Sequence, residues 1–208
     1  MPGYPIELDL IGRLAVVIGL GAVGLRKASG LLEAGARVVG VDPLVRAAPS
    51  GIELRAEDYR AEHLEGACLA FAAATAEVNR QVVADARRMG LWVNSASEPS
   101  RGNFTLPATW RDGSLTLTVS TSGASPALAA SLRDRAVEAL GPSAPELVRV
   151  LEELRPEVLE AIADPVARRR ALKLVAEPRW LELLATEGAE ATRNALREAI
   201  GVGRRLST

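Results

Sequence analysis

Leu14-Ala15-Val16-Val17-Ile18 is an unbroken apolar run ending on Gly19-Leu20-Gly21-Ala22-Val23-Gly24, and no other stretch limits the fold of this chain as tightly. A short, continuously apolar segment bounded by glycines predicts a strand buried on both faces of a parallel sheet. The glycines then predict a tight turn into a helix over Ala22 to Ala34, with Val23, Leu31 and Leu32 on its inner face and Gly35 ending it. Arg37 to Val41 is a second β-branched run, closing on Asp42 and Pro43. Strand, helix and strand within about thirty residues make a right-handed βαβ unit.

Each glycine of the G-x-G-x-x-G run has its own physical reason. Gly19 permits the turn, Gly21 lets the backbone approach a pyrophosphate, and Gly24 lets the helix lie close on the strand. The N–H groups around Ala22 and Val23 then point at the phosphates, where the helix dipole favours negative charge. Asp42 lies 23 positions after Gly19 at the end of the second strand. Its carboxylate suits the ribose hydroxyls of NAD and repels the extra phosphate of NADP. The context of strand, glycine spacing, helix and acid therefore predicts an NAD site. The alternative, a glycine turn that merely packs helix on sheet, leaves Asp42 as an exposed acid.

The alternation continues. Strands are expected at Ile52 to Arg55, Leu69 to Ala73 and Leu91 to Val93, with a helix from Ala76 to Met89, as in an open α/β sheet. The polar run from Asn94 to Asn103 is a loop at the carboxyl edge, where such sheets bind ligands. After Phe104 the pattern changes. Asp112-Gly113 signals a hairpin before the alternating Leu115 to Ser120, and Ser125-Pro126 opens a helix through Leu140 that Gly141 and Pro142 end. From Pro145 onward the chain reads as helical, with stripes at Leu147, Val150, Leu151 and Leu154 and at Trp180, Leu181, Leu183 and Leu184.

Composition narrows the function. The 25 basic and 26 acidic side chains leave a net charge of −1, so no global field holds nucleic acid or an anionic membrane. There is no basic-then-apolar leader, and no apolar run approaches the roughly 20 residues of a membrane helix. A cytoplasmic protein is expected. The lone cysteine, Cys68, excludes an internal disulfide and is expected to be a core thiol. With His63 the only histidine, no zinc site is expected.

Several segments resemble the N-terminal part of siroheme synthases and the single-function precorrin-2 dehydrogenases. They are Tyr4-Pro5-Ile6, Val17 to Gly24 with Arg26-Lys27-Ala28, Leu31 to Ala36, Ala73-Ala74-Thr75 with Val78-Asn79-Arg80, Val93-Asn94, Asn103 to Ala108 and Ser120 to Ala129. The resemblance covers about the first 140 residues. It implies a Rossmann-type α/β domain over 1–112, a dimerisation segment over 113–144 and a helical C-terminal domain over 145–208. It implies a homodimer that oxidises precorrin-2 to sirohydrochlorin with NAD, a reaction some relatives follow with iron insertion. It also places Thr75 among the cofactor-binding residues and Asn94, Arg101, Asn103, Ser120, Thr121, Ser122 and Ser125 among those binding substrate.

The resemblance breaks at one point. Where the family carries a catalytic aspartate shortly after Asn94, this chain has Ser97, and the nearest carboxylate is Glu98. A serine hydroxyl is no general base near neutral pH without a proton acceptor of its own. Ser97 and Glu98 are therefore the catalytic candidates, with dehydrogenation favoured over iron insertion, which must remove two pyrrole protons. For Glu98 two readings stand: a replacement for the aspartate, or a solvated loop acid. The hydroxyls of Ser120 to Ser125 either cap the next helix or meet substrate carboxylates, and both can hold together. Arg101 is either a partner for a tetrapyrrole carboxylate or a free surface arginine.

The competing function is an NAD-sensing module without chemistry, which uses the same glycine run. It does not predict Asn103 to Ala108 or Ser120 to Ala129. A different small-molecule dehydrogenase would need a catalytic histidine, lysine or tyrosine, and no motif surrounds His63, Lys27 or Tyr59.

Overall fold

A computed structural model describes residues 3–201. The chain divides between Leu106 and Pro107 into two compact units. The first holds five parallel strands, β1 (Leu14–Ile18), β2 (Arg37–Val41), β3 (Ile52–Arg55), β4 (Leu69–Ala72) and β5 (Trp92–Ser95). They lie side by side in the order β3-β2-β1-β4-β5. The chain runs outward from β1 to β3, then crosses to β4 on the other side of β1. The strand order thus reverses between β1 and β4, the point where open α/β sheets bind ligands at their carboxyl edge.

The apolar run of β1 is explained by its two faces. Val16 and Ile18 pack with Val82, Val83 and Ala86 of helix α2 (Ala76–Arg88), whereas Ala15 and Val17 pack with Ala28 and Leu31 of helix α1 (Ala22–Glu33). Both sides of the strand are dry, so no polar position is tolerated. In α1 the expected face is rotated. Gly24, Ala28 and Leu31 are buried, whereas Val23 is 39% exposed and Leu32 half-buried. The two small residues bring the helix so near the sheet that the i, i+4, i+7 stripe, and not Val23, faces inward.

Strand β5 lies further along the chain than Leu91 to Val93 suggested. Asn94 pairs with Phe71 and Ser95 with Ala72, and both are buried despite their polarity. Cys68 is half-buried at the start of β4, its thiol donating to the Leu14 carbonyl at 3.3 Å. The expected core thiol therefore sits at the margin of the core.

The second unit begins with an antiparallel hairpin, β6 (Ala108–Asp112) and β7 (Leu115–Val119), in which Asp112 faces Leu115 across a two-residue turn. The break expected at 112/113 falls inside this hairpin, whose ladder bonds bind β6 to β7. Helix α3 (Pro126–Leu140) packs on the hairpin, and Arg133 donates to the Thr109 carbonyl at 3.3 Å. Three further helices follow, α4 (Ser143–Ala161), α5 (Pro165–Leu174) and α6 (Arg179–Ile200), the last kinked at Gly188. Their core joins Leu147, Val150, Leu154 and Val158 of α4 to Trp180, Leu184, Leu196 and Ile200 of α6. Residues 202–208 of the expected helical domain lie outside the described part. Among the described residues no helix is long and apolar enough to cross a membrane, and no three His, Cys, Asp or Glu side chains stand close enough to hold a metal.

Candidate functional site

The glycine loop joins β1 to α1 at the reversal point. Gly19 has φ +90°, and a Cβ there would stand 2.6 Å from the Ala73 carbonyl oxygen at the end of β4. A Cβ on Gly24 would stand 1.8 Å from the Gly19 carbonyl oxygen. These two positions admit no side chain because backbone lies against them. Gly21 differs, since a Cβ there would meet nothing within 4 Å. Its missing side chain leaves open space before the first turn of α1. That turn has no side-chain cap and contains no acidic residue, so the N–H groups of Ala22, Val23 and Gly24 suit an outside anion. The loop thus has the shape and polarity that a dinucleotide pyrophosphate requires.

Asp42 is half-buried at the end of β2, and its carboxylate braces this loop. One oxygen accepts from the Leu20 N–H at 2.8 Å and the other from the Leu44 N–H at 2.9 Å. Each carboxylate oxygen keeps a further lone pair for a ribose hydroxyl. Lys27, one turn into α1, is half-buried, and its ammonium is held below the usual lysine range by burial and by neighbouring Arg26.

The loops after β4 and β5 are joined by Asn79, a residue of the resembling segments to which the sequence assigned no role. Asn79 is fully buried on the inner face of α2. Its carbonyl oxygen accepts from Ala74 N–H at 2.9 Å, and its amide nitrogen donates to the Ala74 carbonyl at 3.1 Å and to Ser97 Oγ at 3.0 Å. The signal was available: the α2 stripe Val82, Val83 and Ala86 extends back one turn to Asn79. Thr75, expected to contact cofactor, caps α2 by accepting from Val78 N–H at 3.4 Å.

The loop after β5 places the other candidates. Ser97 is exposed, and Glu98 forms an ion pair with Arg101. The two side chains expected to act separately on substrate thus neutralise each other. Asn94 is buried and donates to the Phe104 carbonyl at 3.1 Å. Asn103 accepts from Val93 N–H at 2.6 Å and donates to the Leu91 carbonyl at 2.9 Å, while its own N–H reaches the Val93 carbonyl at 2.9 Å. Because β5 is the edge strand, the Asn103 bonds pair groups that the sheet leaves open. Asn103, expected to bind substrate, is thus spent on framework, and Asn94, expected there too, ties its amide nitrogen to the chain at Phe104.

In the second unit the hydroxyl run after β7 is largely committed. Ser125 Oγ caps α3 by accepting from Leu128 N–H at 3.1 Å. Thr121 Oγ1 accepts from Ser125 N–H and donates to the Ser125 carbonyl, and Ser120 Oγ accepts from Ser122 N–H at 3.2 Å. Ser122 is left. It is exposed, its hydroxyl has no partner among the described residues, and its φ of +51° is unusual for a residue with a side chain. Such strain costs of order 1–3 kcal/mol and tends to collect at functional loops.

His63 lies elsewhere as a local cap, bonded to Arg60 N–H and to Glu57. The hydrogen bond from His63, with the nearby Arg60 charge, holds the Glu57 carboxyl below its usual range.

Comparison with known proteins agrees with this geometry. Residues 6–108 match an NAD(P)-binding family, and residues 112–135 match the family described as sirohaem biosynthesis protein central. The siroheme synthase of Nitrosomonas europaea is 32% identical over 96% of this chain, and that of Methylococcus capsulatus is 35% identical over 96%. The chain belongs to the siroheme synthase N-terminal family. As a member it spans 44% of the length of these two relatives. The solved structure of SirC, precorrin-2 dehydrogenase, superposes with a TM-score of 0.74 at 23% identity, covering 94% of this chain and 100% of that one. That likeness establishes the family fold for the chain. The first unit is accordingly an NAD(P)-binding domain.

Proposed function

We propose that the chain oxidises precorrin-2 to sirohydrochlorin, with NAD in preference to NADP. The observation that carries this reading is the uncapped glycine loop braced by Asp42, in a chain of the siroheme synthase family. The name of the superposed structure supports the choice of substrate. The N–H groups of Ala22, Val23 and Gly24 hold the pyrophosphate, and Asp42 accepts the ribose hydroxyls and repels a 2′-phosphate. NAD, when bound, supplies the hydride acceptor. The macrocycle loses that hydride and one proton, and the proton passes to solvent.

Iron insertion is not assigned. It requires two pyrrole protons to leave as the metal enters, and Ser97 takes none near neutral pH. Glu98, the only carboxylate between Asn94 and Asn103, is already bound to Arg101. The direct test mixes the protein with NAD and precorrin-2 generated in situ. The reduced-nicotinamide and sirohydrochlorin absorbances should rise together. No change with either nicotinamide cofactor would leave a binding module without chemistry.

We also propose a homodimer through the middle segment. On α3 only Ala129 is buried, while Leu128, Leu132 and Leu140 are 51%, 41% and 39% exposed on one i, i+4 stripe. Leu132→Asp should weaken self-association by at least about tenfold, the equivalent of 1.4 kcal/mol. Sedimentation checks this, and an unchanged dimer would place the contact elsewhere.

A further inference from the structure

The hydroxyl of Ser97 has a defined direction. Serine carries one O–H donor and two acceptor lone pairs. One lone pair of Ser97 Oγ accepts from Asn79 Nδ2 at 3.0 Å. The hydroxyl hydrogen has no acceptor among the described residues, and Ser97 is exposed. Asn79 cannot rotate to reverse this bond. Its other two bonds, from Ala74 N–H and to the Ala74 carbonyl, fix which end of the amide faces Ser97. The amide orientation is therefore set by the backbone after β4.

We propose that Asn79 is a positioning residue which turns Ser97 into a fixed hydrogen-bond donor toward bound ligand, so that position 97 orients an acceptor oxygen and takes no proton. This rests on the dehydrogenase reading. The acceptor is an uncharged or anionic oxygen, either the carboxamide of the nicotinamide or a carboxylate of the substrate. Asn79 offers its N–H to whatever oxygen stands at position 97, and a hydroxyl that accepts this bond still has a hydrogen to give.

Two substitutions separate donor from framework. Ser97→Ala removes the hydroxyl at an exposed position and leaves the fold intact. Asn79→Asp keeps the acceptor for Ala74 N–H but offers an oxygen to Ser97, so the hydroxyl donates inward and the outward donor is lost. Affinity for NAD by calorimetry, and kcat and KM for precorrin-2, are measured for both single variants and the double variant. Each single change should cost about tenfold, the size of a hydrogen bond to a polar or charged ligand oxygen. The loss appears in NAD affinity if the carboxamide is the acceptor, or in KM for precorrin-2 if the carboxylate is. The double variant should be no worse than Ser97→Ala, and Ser97→Thr should restore most of the loss.

Unchanged constants in Ser97→Ala would overturn the proposal, and this result stands even if Asn79→Asp fails to fold. Losses that add in full would show that Asn79 does not act through Ser97. A wild-type protein that neither binds NAD nor converts precorrin-2 would remove the dehydrogenase reading together with this one. An active wild type with an indifferent Ser97→Ala would remove this one alone.

Discussion

Gly24→Ala is expected to abolish dinucleotide binding, lowering affinity by more than about a hundredfold, and to destabilise the first unit. The added methyl group would stand 1.8 Å from the Gly19 carbonyl oxygen and 2.9 Å from its carbon. Both are backbone atoms, so no side chain can swing aside. Helix α1 would have to lift from the sheet, loosening Ala28 and Leu31 and displacing the N–H groups from the phosphate position. Overpacking of a tight interior typically costs about 1–3 kcal/mol, and a clash with backbone belongs at the upper end. Gly21→Ala supplies the contrast. Its methyl group would meet no protein atom within 4 Å, so the melting temperature should hold while cofactor affinity falls, because the methyl group projects into the pyrophosphate's room. Calorimetric titration and thermal melting of the two variants check the pair. Wild-type affinity in Gly24→Ala would contradict the close packing, and wild-type affinity in Gly21→Ala would contradict the phosphate site.

Asp42→Ala should give the second large effect, a loss of roughly 10- to 100-fold in NAD affinity with a smaller loss for NADP. Two causes act together. The carboxylate's charge-assisted bonds to the Leu20 and Leu44 N–H groups are removed, of which the part-buried one to Leu20 is worth roughly 1.5–3 kcal/mol and the exposed one to Leu44 less. The acceptor for the ribose hydroxyls is lost as well, and so is the charge that repels a 2′-phosphate. Only the second cause distinguishes the cofactors, so the ratio of the two affinities isolates it. Equal losses for both would leave Asp42 as a brace of the loop and nothing more.

Much of this was legible in the chain itself. The bounds of β1 and β2 follow from their apolar runs because both faces of a central parallel strand are dry. The hairpin turn at Gly113-Ser114 and the cap at Ser125 follow from local backbone chemistry. What escaped the reading depends on long-range pairing. Asn94 and Asn103 look like ligand residues in a polar loop, but the open edge of β5 takes the Asn103 amide and the Phe104 carbonyl takes that of Asn94. Asn79 looks like a surface residue of a helix until the stripe through Val82 and Ala86 is traced back to it. The partnership of Glu98 and Arg101, three residues apart, was within reach of the sequence, since the short turn Pro99–Arg101 brings them together. Ser122 could not be separated from its neighbouring hydroxyls by sequence, because only the turn geometry shows which of them are already bonded.

In the proposed site a nicotinamide dinucleotide lies against the uncapped first turn of α1 with its ribose on Asp42. Titration of the wild-type protein with NAD and with NADP in a calorimeter tests this most directly. Saturable binding of one NAD per chain, tighter than that of NADP, is the predicted result; no saturable heat from either, or tighter binding of NADP, would contradict it.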